Sequence, residues 1–292
     1  MTATQDQWAQ WLLHKRHGGN AQQMQSVLDF LYPVRDKVLS NAKLGEGETL
    51  LDVGSGDGLI AFGALEKVKD SKVVFSDISQ DLLDHTETLA REMGVLDRCR
   101  FLRASADDLS ALPDSSLDAV TTRSVLIYVS AKQQSFNEFY RALKPGGRLS
   151  IFEPINRYCW PPPPHMFYGY DLTPVADLVA KVRAVYERAQ PSENNPMLDF
   201  DERDMLGFAE KAGFRKIHME LQADIGPSET RGPDWDAALR SSPNPLAPTL
   251  EEAMREALSP AEAEMFVTYL RPQYEAGPGV ERMAVMYLWA TK

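Results

Sequence analysis

Three alternating glycines in residues 49–61 have the type and spacing best suited to chemistry, because they interrupt an otherwise apolar run. Gly54, Gly56 and Gly58 can adopt positive φ and let a ligand approach the main chain closely. The apolar residues that follow predict a helix, whose free N–H groups and positive dipole end would point back at that ligand. The stretch therefore predicts a binding site for an anion or a carboxylate.

A carboxylate follows at the end of the next predicted strand, where residues 72–78 end in Ser-Asp-Ile. An acidic residue about twenty positions beyond a glycine loop is placed to hold the hydroxyls of a ribose, which Asp77 could do. The other interpretation of Asp77 is an ordinary strand-to-turn aspartate. A dinucleotide fingerprint requires its third glycine where Leu59 stands, so the spacing disfavours NAD or FAD.

The elements that must position these residues follow from the hydrophobic periodicity and from turn signals. Strands are predicted at residues 49–53, 72–77, 99–103, 117–122, 148–152, 214–221 and 282–290. Helices are predicted at residues 5–19, from Met24 to Val34, and at 59–68, 81–93, 130–143, 172–186, 201–212, 250–258 and 260–270. Ser79 is the predicted N-cap of the helix at 81–93. Residues 226–248 are rich in proline, glycine and serine and are predicted to form a long loop.

Four motifs occur in a familiar order: residues 51–58 (Leu-Asp-Val-Gly-Ser-Gly-Asp-Gly), Asp77, residues 114–120 and residues 143–149. They resemble the glycine-rich first motif, the acidic end of the second strand, the lead-in to the fourth strand and the turn into the fifth strand of the class I S-adenosylmethionine-dependent methyltransferases. The resemblance covers roughly residues 45–155. One motif alone would be a weak signal, but four in order are a strong one.

The resemblance implies an α/β fold, with a doubly wound seven-stranded and mostly parallel sheet and an antiparallel last strand. Residues 45–155 would be the S-adenosylmethionine-binding core, preceded by an N-terminal helical cap at 1–44. Residues 156–200 would form a substrate lid insertion. Residues 201–292 would complete the core, with an insertion at 226–280 in the last hairpin.

The resemblance also implies a cofactor, S-adenosyl-L-methionine, with S-adenosyl-L-homocysteine as product. The residues expected to contact it are Asp52, Gly54, Ser55, Gly56, Gly58, Asp77, Ile78, Ser105, Ala106, Asp107 and Arg123. In the family an acidic residue after the third strand often contacts the adenine amino group, but the corresponding position here is Ser105. A shift of one or two residues along the chain would let Asp107 make that contact instead.

The acceptor side is predicted from position, since ligands of open α/β sheets lie beyond the carboxyl ends of the strands. Glu153, Asn156 and Arg157 follow the fifth strand, and Tyr128 follows the fourth, near the sulfonium by analogy. Candidate bases, should the reaction need one, are His165, Glu153, Tyr128 and His17. Asn156 and Arg157 are predicted to contact the acceptor.

A rigid aromatic segment follows, in which four consecutive prolines precede His165, Tyr168 and Tyr170. Proline restricts the main chain, and aromatic rings provide a wall for an apolar or planar guest. Tyr168 and Tyr170 are therefore predicted substrate contacts, together with His17 from the cap. The alternative is a stiff surface crossover that binds no ligand.

Composition restricts the possible partners. The net charge of −11 and pI near 5.0 argue against nucleic acid and anionic membranes, since no basic stripe could replace phosphate counterions. Two cysteines, Cys99 and Cys159, cannot form a disulfide framework or a cysteine-rich metal site, so no metal is expected and a reducing, cytoplasmic location is predicted. Neither a signal peptide nor a membrane span is expected.

These observations predict an enzyme that transfers a methyl group to a small, partly apolar or aromatic metabolite by in-line displacement. An oxygen, nitrogen or carbon acceptor remains open, and the chain is expected to be a monomer or a homodimer. One alternative is a non-catalytic subunit that binds S-adenosylmethionine. An NAD(P)-dependent oxidoreductase is a weaker alternative. Methylation of a metalloid is disfavoured, because the proteins that resemble this chain and methylate arsenic have at least three arsenic-binding cysteines and this chain has two cysteines.

Overall fold

The computed structural model describes residues 5–292, and their contacts divide the chain into two compact units. Unit 1 comprises the described residues up to Leu31, Tyr158–Asn195 and Ala223–Met283. Unit 2 comprises Tyr32–Arg157, Pro196–Gln222 and Ala284–Lys292. Parts of the predicted cap, lid and hairpin insertion thus contribute to the same unit.

The strands are numbered in chain order. They are β1 (Thr49–Val53), β2 (Lys72–Asp77), β3 (Cys99–Arg103), β4 (Leu117–Arg123), β5 (Leu143–Pro154), β6 (Met166–Phe167), β7 (Tyr170–Asp171), β8 (Arg215–Pro227) and β9 (Val280–Thr291). The helices are α1 (Gln7–Gln10), α2 (Ala21–Ala42), α3 (Leu59–Lys67), α4 (Gln80–Glu92), α5 (Lys132–Ala142), α6 (Ala176–Ala189), α7 (Glu202–Ala212), α8 (Trp235–Arg240), α9 (Leu250–Ala257) and α10 (Pro260–Ala276).

The predicted sheet is confirmed. Seven strands lie in the order β3-β2-β1-β4-β5-β9-β8, and the pairs among the first five strands are parallel. β9 is antiparallel to β5, with Ile151 opposite Leu288. The four residues of β1 that follow Thr49 are all buried, as expected for a strand covered on both faces. The carboxyl ends of β1, β2, β3, β4 and β5 therefore meet at one edge of the sheet.

Local signals place the helices around this sheet. Ser79 caps α4, its side chain accepting a hydrogen bond from the Leu82 N–H, as predicted. Asp201 caps α7 in a capping box with Asp204, and Gly213 ends the helix in the left-handed region. The helices thus begin and end near the residues that the sequence indicates.

Unit 1 has an apolar core of its own, formed by α6, α8, α9, α10 and the short β6–β7 hairpin. Phe167 packs against Phe266 with ring centroids 5.5 Å apart, and Trp235 packs against Tyr274 at 5.8 Å. No helix among residues 5–292 combines the length and apolar character needed to cross a membrane.

Three details of unit 1 differ from the sequence prediction. The predicted loop at 226–248 contains helix α8, because Asp234 caps the Ala237 N–H and Trp235 and Ala238 are buried in the core. Helix α10 continues through Pro272 to Ala276, six residues beyond its predicted end at Leu270. Residues 166–171 form a two-stranded hairpin, which was not predicted because its strands are only two residues long and follow a run of prolines.

Candidate functional site

The glycine loop of unit 2 connects β1 to α3, and all three of its glycines lie in the left-handed region. The φ angles of Gly54, Gly56 and Gly58 are 62°, 55° and 85°. The Ser55 N–H donates to the Ser76 carbonyl at 2.9 Å, which holds the loop against the end of β2. The free N–H groups at the start of α3 therefore face the edge where the strands end.

Close packing adds a second reason for glycine at two of these positions. A Cβ atom on Gly54 would lie 2.3 Å from the Val125 Cγ2 atom, and one on Gly58 would lie 2.4 Å from the Phe62 ring. Both distances are far below van der Waals contact. The loop thus lies against neighbouring side chains and presents bare main chain on its remaining surface.

Asp77 lies where the sequence predicts, at the end of β2, and its side chain is 7% exposed. One carboxylate oxygen accepts a hydrogen bond from the Gly56 N–H and the other from the Ser79 N–H, both at 2.9 Å. Asp77 thus joins the glycine loop to the turn that follows β2.

The Asp52 side chain is buried, with 2% of it exposed. Its carboxylate accepts from the Thr121 hydroxyl at 2.9 Å and from the Ala61 N–H at 3.1 Å. Burial raises the pKa of Asp52 to about 7, although these bonds and the charge of Arg123 act in the opposite direction. The contacts favour a supporting role, joining β1, β4 and the first turn of α3, over the predicted contact with the cofactor.

The residues predicted to surround the adenine lie together next to Asp77. The Ala104 N–H donates to the Asp77 carbonyl at 3.1 Å, and Arg103 Nε donates to the Ile78 carbonyl at 3.1 Å. Ile78 is 43% exposed, which is unusual for a large apolar side chain beside a buried strand end. The Ser105 hydroxyl donates to the Asp107 carboxylate, and Ala106 between them is buried.

Glu153 is fully buried, and the main chain occupies its carboxylate. One oxygen accepts from the N–H groups of Val125 and Leu126 at 2.9 and 3.0 Å, and the other from the Ile127 N–H at 3.3 Å. Burial raises its pKa to about 7, against the effect of these three bonds. The contacts favour positioning of the turn after β4 over the predicted role as a base.

That turn carries two other predicted residues. Arg123 ends β4 and lies close enough to Asp52 for its charge to act on that carboxylate. Tyr128 ends a 3₁₀ turn, Leu126–Tyr128, and is partly exposed. The three N–H groups held by Glu153 therefore fix the main chain between Arg123 and Tyr128.

Lys132 is a residue that the sequence reasoning missed. Its side chain is 3% exposed, and its Nζ donates to the carbonyls of Val129 and Pro196 and to the Asp199 carboxylate at 2.6 Å. It also lies over the Phe200 ring, 4.6 Å from the centroid. Burial lowers the pKa of Lys132, while Asp199 raises it. A lysine in the first turn of a helix carries no sequence signal for such burial.

The predicted acceptor residues Asn156 and Arg157 lie in a 3₁₀ turn just after β5. Asn156 is partly exposed at the start of a 3₁₀ turn. Arg157 is exposed, and its guanidinium lies 3.7 Å from the Asp201 carboxylate, the N-cap of α7. An ion pair of this kind on the surface contributes at most about 1 kcal/mol and leaves the arginine able to change partners.

The remaining predicted residues belong to unit 1. His165 precedes the β6–β7 hairpin, and its carbonyl accepts from the Leu172 N–H at 2.9 Å. Tyr170 is buried in the core and its hydroxyl donates to the Gly277 carbonyl at 2.7 Å, which favours a packing role. The Tyr168 ring stacks on Phe167, with centroids 4.6 Å apart. His17 is partly buried, just after the π-helical turn that ends at Lys15.

The strand order, the glycine loop at the start of α3 and the carboxylate ending β2 define the class of this protein as the S-adenosylmethionine-dependent methyltransferases of class I. The sequence model of the ubiE/COQ5 methyltransferase family matches residues 17–224. The chain belongs to this family. The match ends at residue 224, so it leaves out nearly all of the last segment of unit 1, Ala223–Met283.

Individual relatives agree with this assignment. The chain is 28% identical over 182 residues to the ubiquinone/menaquinone biosynthesis C-methyltransferase UbiE of Cronobacter sakazakii, covering 59% of this chain and 68% of that protein. It is 33% identical over 183 residues to the demethylmenaquinone methyltransferase of Clavibacter sepedonicus, covering 61% and 71%.

A solved structure shows the same fold. Geranyl diphosphate C-methyltransferase from Streptomyces coelicolor A3(2), in complex with Mg²⁺, geranyl-S-thiolodiphosphate and S-adenosyl-L-homocysteine, superimposes with a TM-score of 0.52 at 18% identity. The alignment covers 89% of this chain and 75% of that one. Within residues 5–292, no group of three or more His, Cys, Asp or Glu side chains could hold a metal ion.

Proposed function

We propose that this protein transfers the methyl group of S-adenosylmethionine to a ring carbon of a small aromatic acceptor of the hydroquinone type. The observation that carries the proposal is the bond between the Asp77 carboxylate and the Gly56 N–H, at 2.9 Å. It joins a glycine loop and an acidic strand end into one unit, as binding of a nucleoside bearing an amino-acid tail requires.

The roles of the cofactor residues follow from this geometry. Gly54 and the first N–H groups of α3 would bind the carboxylate of the methionine portion, and Gly56 would let the main chain approach the ligand closely. Asp77, at the end of β2, would accept hydrogen bonds from the ribose hydroxyls. Ile78, which is exposed beside it, and the Ser105–Asp107 segment would bind the adenine.

A carbon acceptor is supported by the name of the Cronobacter sakazakii relative, a C-methyltransferase, and by the contacts of Glu153. The Glu153 side chain is fully buried and its carboxylate accepts three main-chain N–H groups, which supports a role in holding the turn after β4 over a role as the base for an alcohol or ammonium acceptor. An ionised phenol activates its own ring carbon. That carbon forms a bond to the methyl carbon as the C–S bond breaks, the electron pair stays on sulfur, and the ring then loses a proton.

The experiment is methyl transfer with S-adenosylmethionine labelled in the methyl group. The acceptors are a substituted naphthohydroquinone, a catechol and a primary amine, and mass spectrometry locates the label on carbon, oxygen or nitrogen. Label on a ring carbon is expected with the wild type and not with Asp77→Ala. Label on oxygen or nitrogen alone would overturn the carbon assignment, and calorimetric binding of the cofactor without any transfer would favour the non-catalytic alternative.

A further inference from the structure

Arg231 in unit 1 is partly buried and has no counter-ion among residues 5–292. Its Nη1 donates to the Tyr168 carbonyl at 2.7 Å, and the group lies over the Tyr168 ring, 4.9 Å from the centroid. No carboxylate within residues 5–292 lies within 4.0 Å of it. Charges removed from water are normally paired, so this arginine is suited to an anion supplied from outside the chain.

A second arginine of unit 1 shows what a fully engaged guanidinium looks like. Arg183 also makes no ion pair in the described part of the chain, but it donates to the carbonyls of Pro162, Pro163 and Met166. Arginine has five N–H donors in a planar fork. Arg231 uses one acceptor where Arg183 uses three, so most of its donors remain available for a ligand.

Three tyrosines lie within reach of the charge of Arg231. Tyr168, Tyr170 and Tyr274 all experience it, and burial raises the pKa of each hydroxyl, that of Tyr274 to about 12. Tyr170 donates to the Gly277 carbonyl, and the Tyr168 hydroxyl lies 3.5 Å from that of Tyr186. The Tyr274 side chain is 2% exposed, and its ring packs against the rings of Tyr170 and Trp235.

Ser228 adds a second buried hydroxyl. The residue is 5% exposed, and its Oγ has no hydrogen-bond partner in the described chain. Its N–H donates to the Gly279 carbonyl at 3.0 Å. A Cβ on Gly279 would lie 2.5 Å from the Tyr168 carbonyl oxygen, the acceptor of Arg231, and 3.0 Å from the Tyr170 Cζ atom. The same tightly packed main chain therefore connects Ser228, the tyrosines and Arg231.

We propose that Arg231, Tyr274 and Ser228 form a subsite in unit 1 that binds the carboxylate of an aromatic ligand. A guanidinium and two hydroxyls can supply hydrogen bonds to both oxygens of a carboxylate, and the guanidinium fork matches its planar geometry. The tyrosine rings provide the apolar surface for the attached ring. The proposal rests on the proposed function in one respect: it takes the aromatic acid bound here to be the methyl acceptor.

Calorimetric titration with benzoate, in the absence of S-adenosylmethionine, tests the subsite. Benzamide is the neutral probe of the same shape. We expect the wild type to bind benzoate more tightly than benzamide, and Arg231→Gln to lose the benzoate affinity on the order of 10- to 100-fold, as for a charge-assisted hydrogen bond. Equal affinity of the wild type for the two probes would overturn the proposal.

Arg240→Gln is the matched control, since Arg240 lies in the same unit, is exposed and makes one main-chain bond, from Nε to the Gly18 carbonyl at 3.2 Å. This variant should bind benzoate like the wild type. A loss equal to that of Arg231→Gln would mean that net charge, and not the subsite, determines the affinity, and would contradict the assignment.

Two further variants separate ligand binding from folding. Ser228→Ala removes a hydroxyl that has no hydrogen-bond partner among residues 5–292, and Tyr274→Phe keeps the ring that packs in the core, so the free energy of unfolding should not fall. Their benzoate affinity should nevertheless fall, by about 3- to 10-fold. Unchanged benzoate affinity in both would exclude a role for these hydroxyls. Because no methyl transfer is measured, failure of the proposed function would leave this result intact.

Discussion

Replacing Gly54 by alanine should destabilise unit 2 through two separable effects. The φ angle of 62° is unfavourable for any residue with a Cβ, which costs about 1–2 kcal/mol. The new Cβ would also lie 2.3 Å from Val125 Cγ2 and 3.2 Å from Cγ1, and forcing a methyl group into such a space costs about 1–3 kcal/mol more. The expected loss in free energy of unfolding is therefore about 2–5 kcal/mol.

Gly47→Ala is the matched control for the backbone term. Gly47 has a φ of 73°, and no atom lies within 4 Å of a Cβ built on it. Chemical denaturation should therefore show a loss of only about 1–2 kcal/mol for this variant. Gly54→Ala should also lower the affinity for S-adenosylmethionine in calorimetry, and Gly47→Ala should not.

The clash itself is tested by a double variant. Val125→Ala removes both Cγ atoms and leaves only the Val125 Cβ, at 3.3 Å, so Gly54→Ala should cost less in this background than in the wild type. The coupling in the double-mutant cycle measures the steric term. If Gly54→Ala destabilises the protein no more than Gly47→Ala, and the coupling is zero, the reasoning from close packing is wrong.

Three other changes have expected outcomes. Asp77→Ala should weaken S-adenosylmethionine binding on the order of 10- to 100-fold in calorimetry, because the Gly56 N–H and the ribose hydroxyls both lose their hydrogen-bond acceptor. An affinity equal to that of the wild type would contradict this role. The pKa of Glu153 is raised from 4.5 to about 7, so the ionisation of Glu153 lowers the free energy of unfolding as pH rises through that interval. In denaturant titrations between pH 4 and 8, the free energy of unfolding of Glu153→Gln should therefore rise relative to that of the wild type by up to about 3 kcal/mol. A difference that does not change with pH would refute the raised pKa. Lys132→Met should lose about 1–3 kcal/mol of unfolding free energy, because the carbonyls of Val129 and Pro196 lose their donor, whereas Lys144→Met, which breaks a partly exposed pair with Asp118, should lose less than about 1.

The glycine loop and Asp77 could be predicted because each signal is local. A glycine reports the backbone angle at its own position, and an apolar run ending in an aspartate reports a strand end. The order of four such signals then predicted the sheet and its family. The same local reasoning placed Ser79 and Asp201 at helix starts, where the structure confirms them.

The individual roles of buried carboxylates could not be predicted in this way. Asp52 and Glu153 are both acidic residues at strand ends, as Asp77 is, and the sequence gives no reason to separate the three. The structure separates them by their partners. Asp52 accepts from the Thr121 hydroxyl, Glu153 accepts from three consecutive N–H groups, and Asp77 accepts from the Gly56 N–H of the glycine loop.

The sequence by itself determined the fold class, the cofactor loop and the family, because these depend on patterns within a few residues of one another. Tertiary structure alone decided which polar groups are already engaged. Glu153 meets the Val125 N–H across 28 positions, Lys132 meets Pro196 across 64, and Arg231 meets the Tyr168 carbonyl across 63. A hydrogen bond between residues so far apart in the chain depends on how the elements pack, and no local pattern of residue types records it.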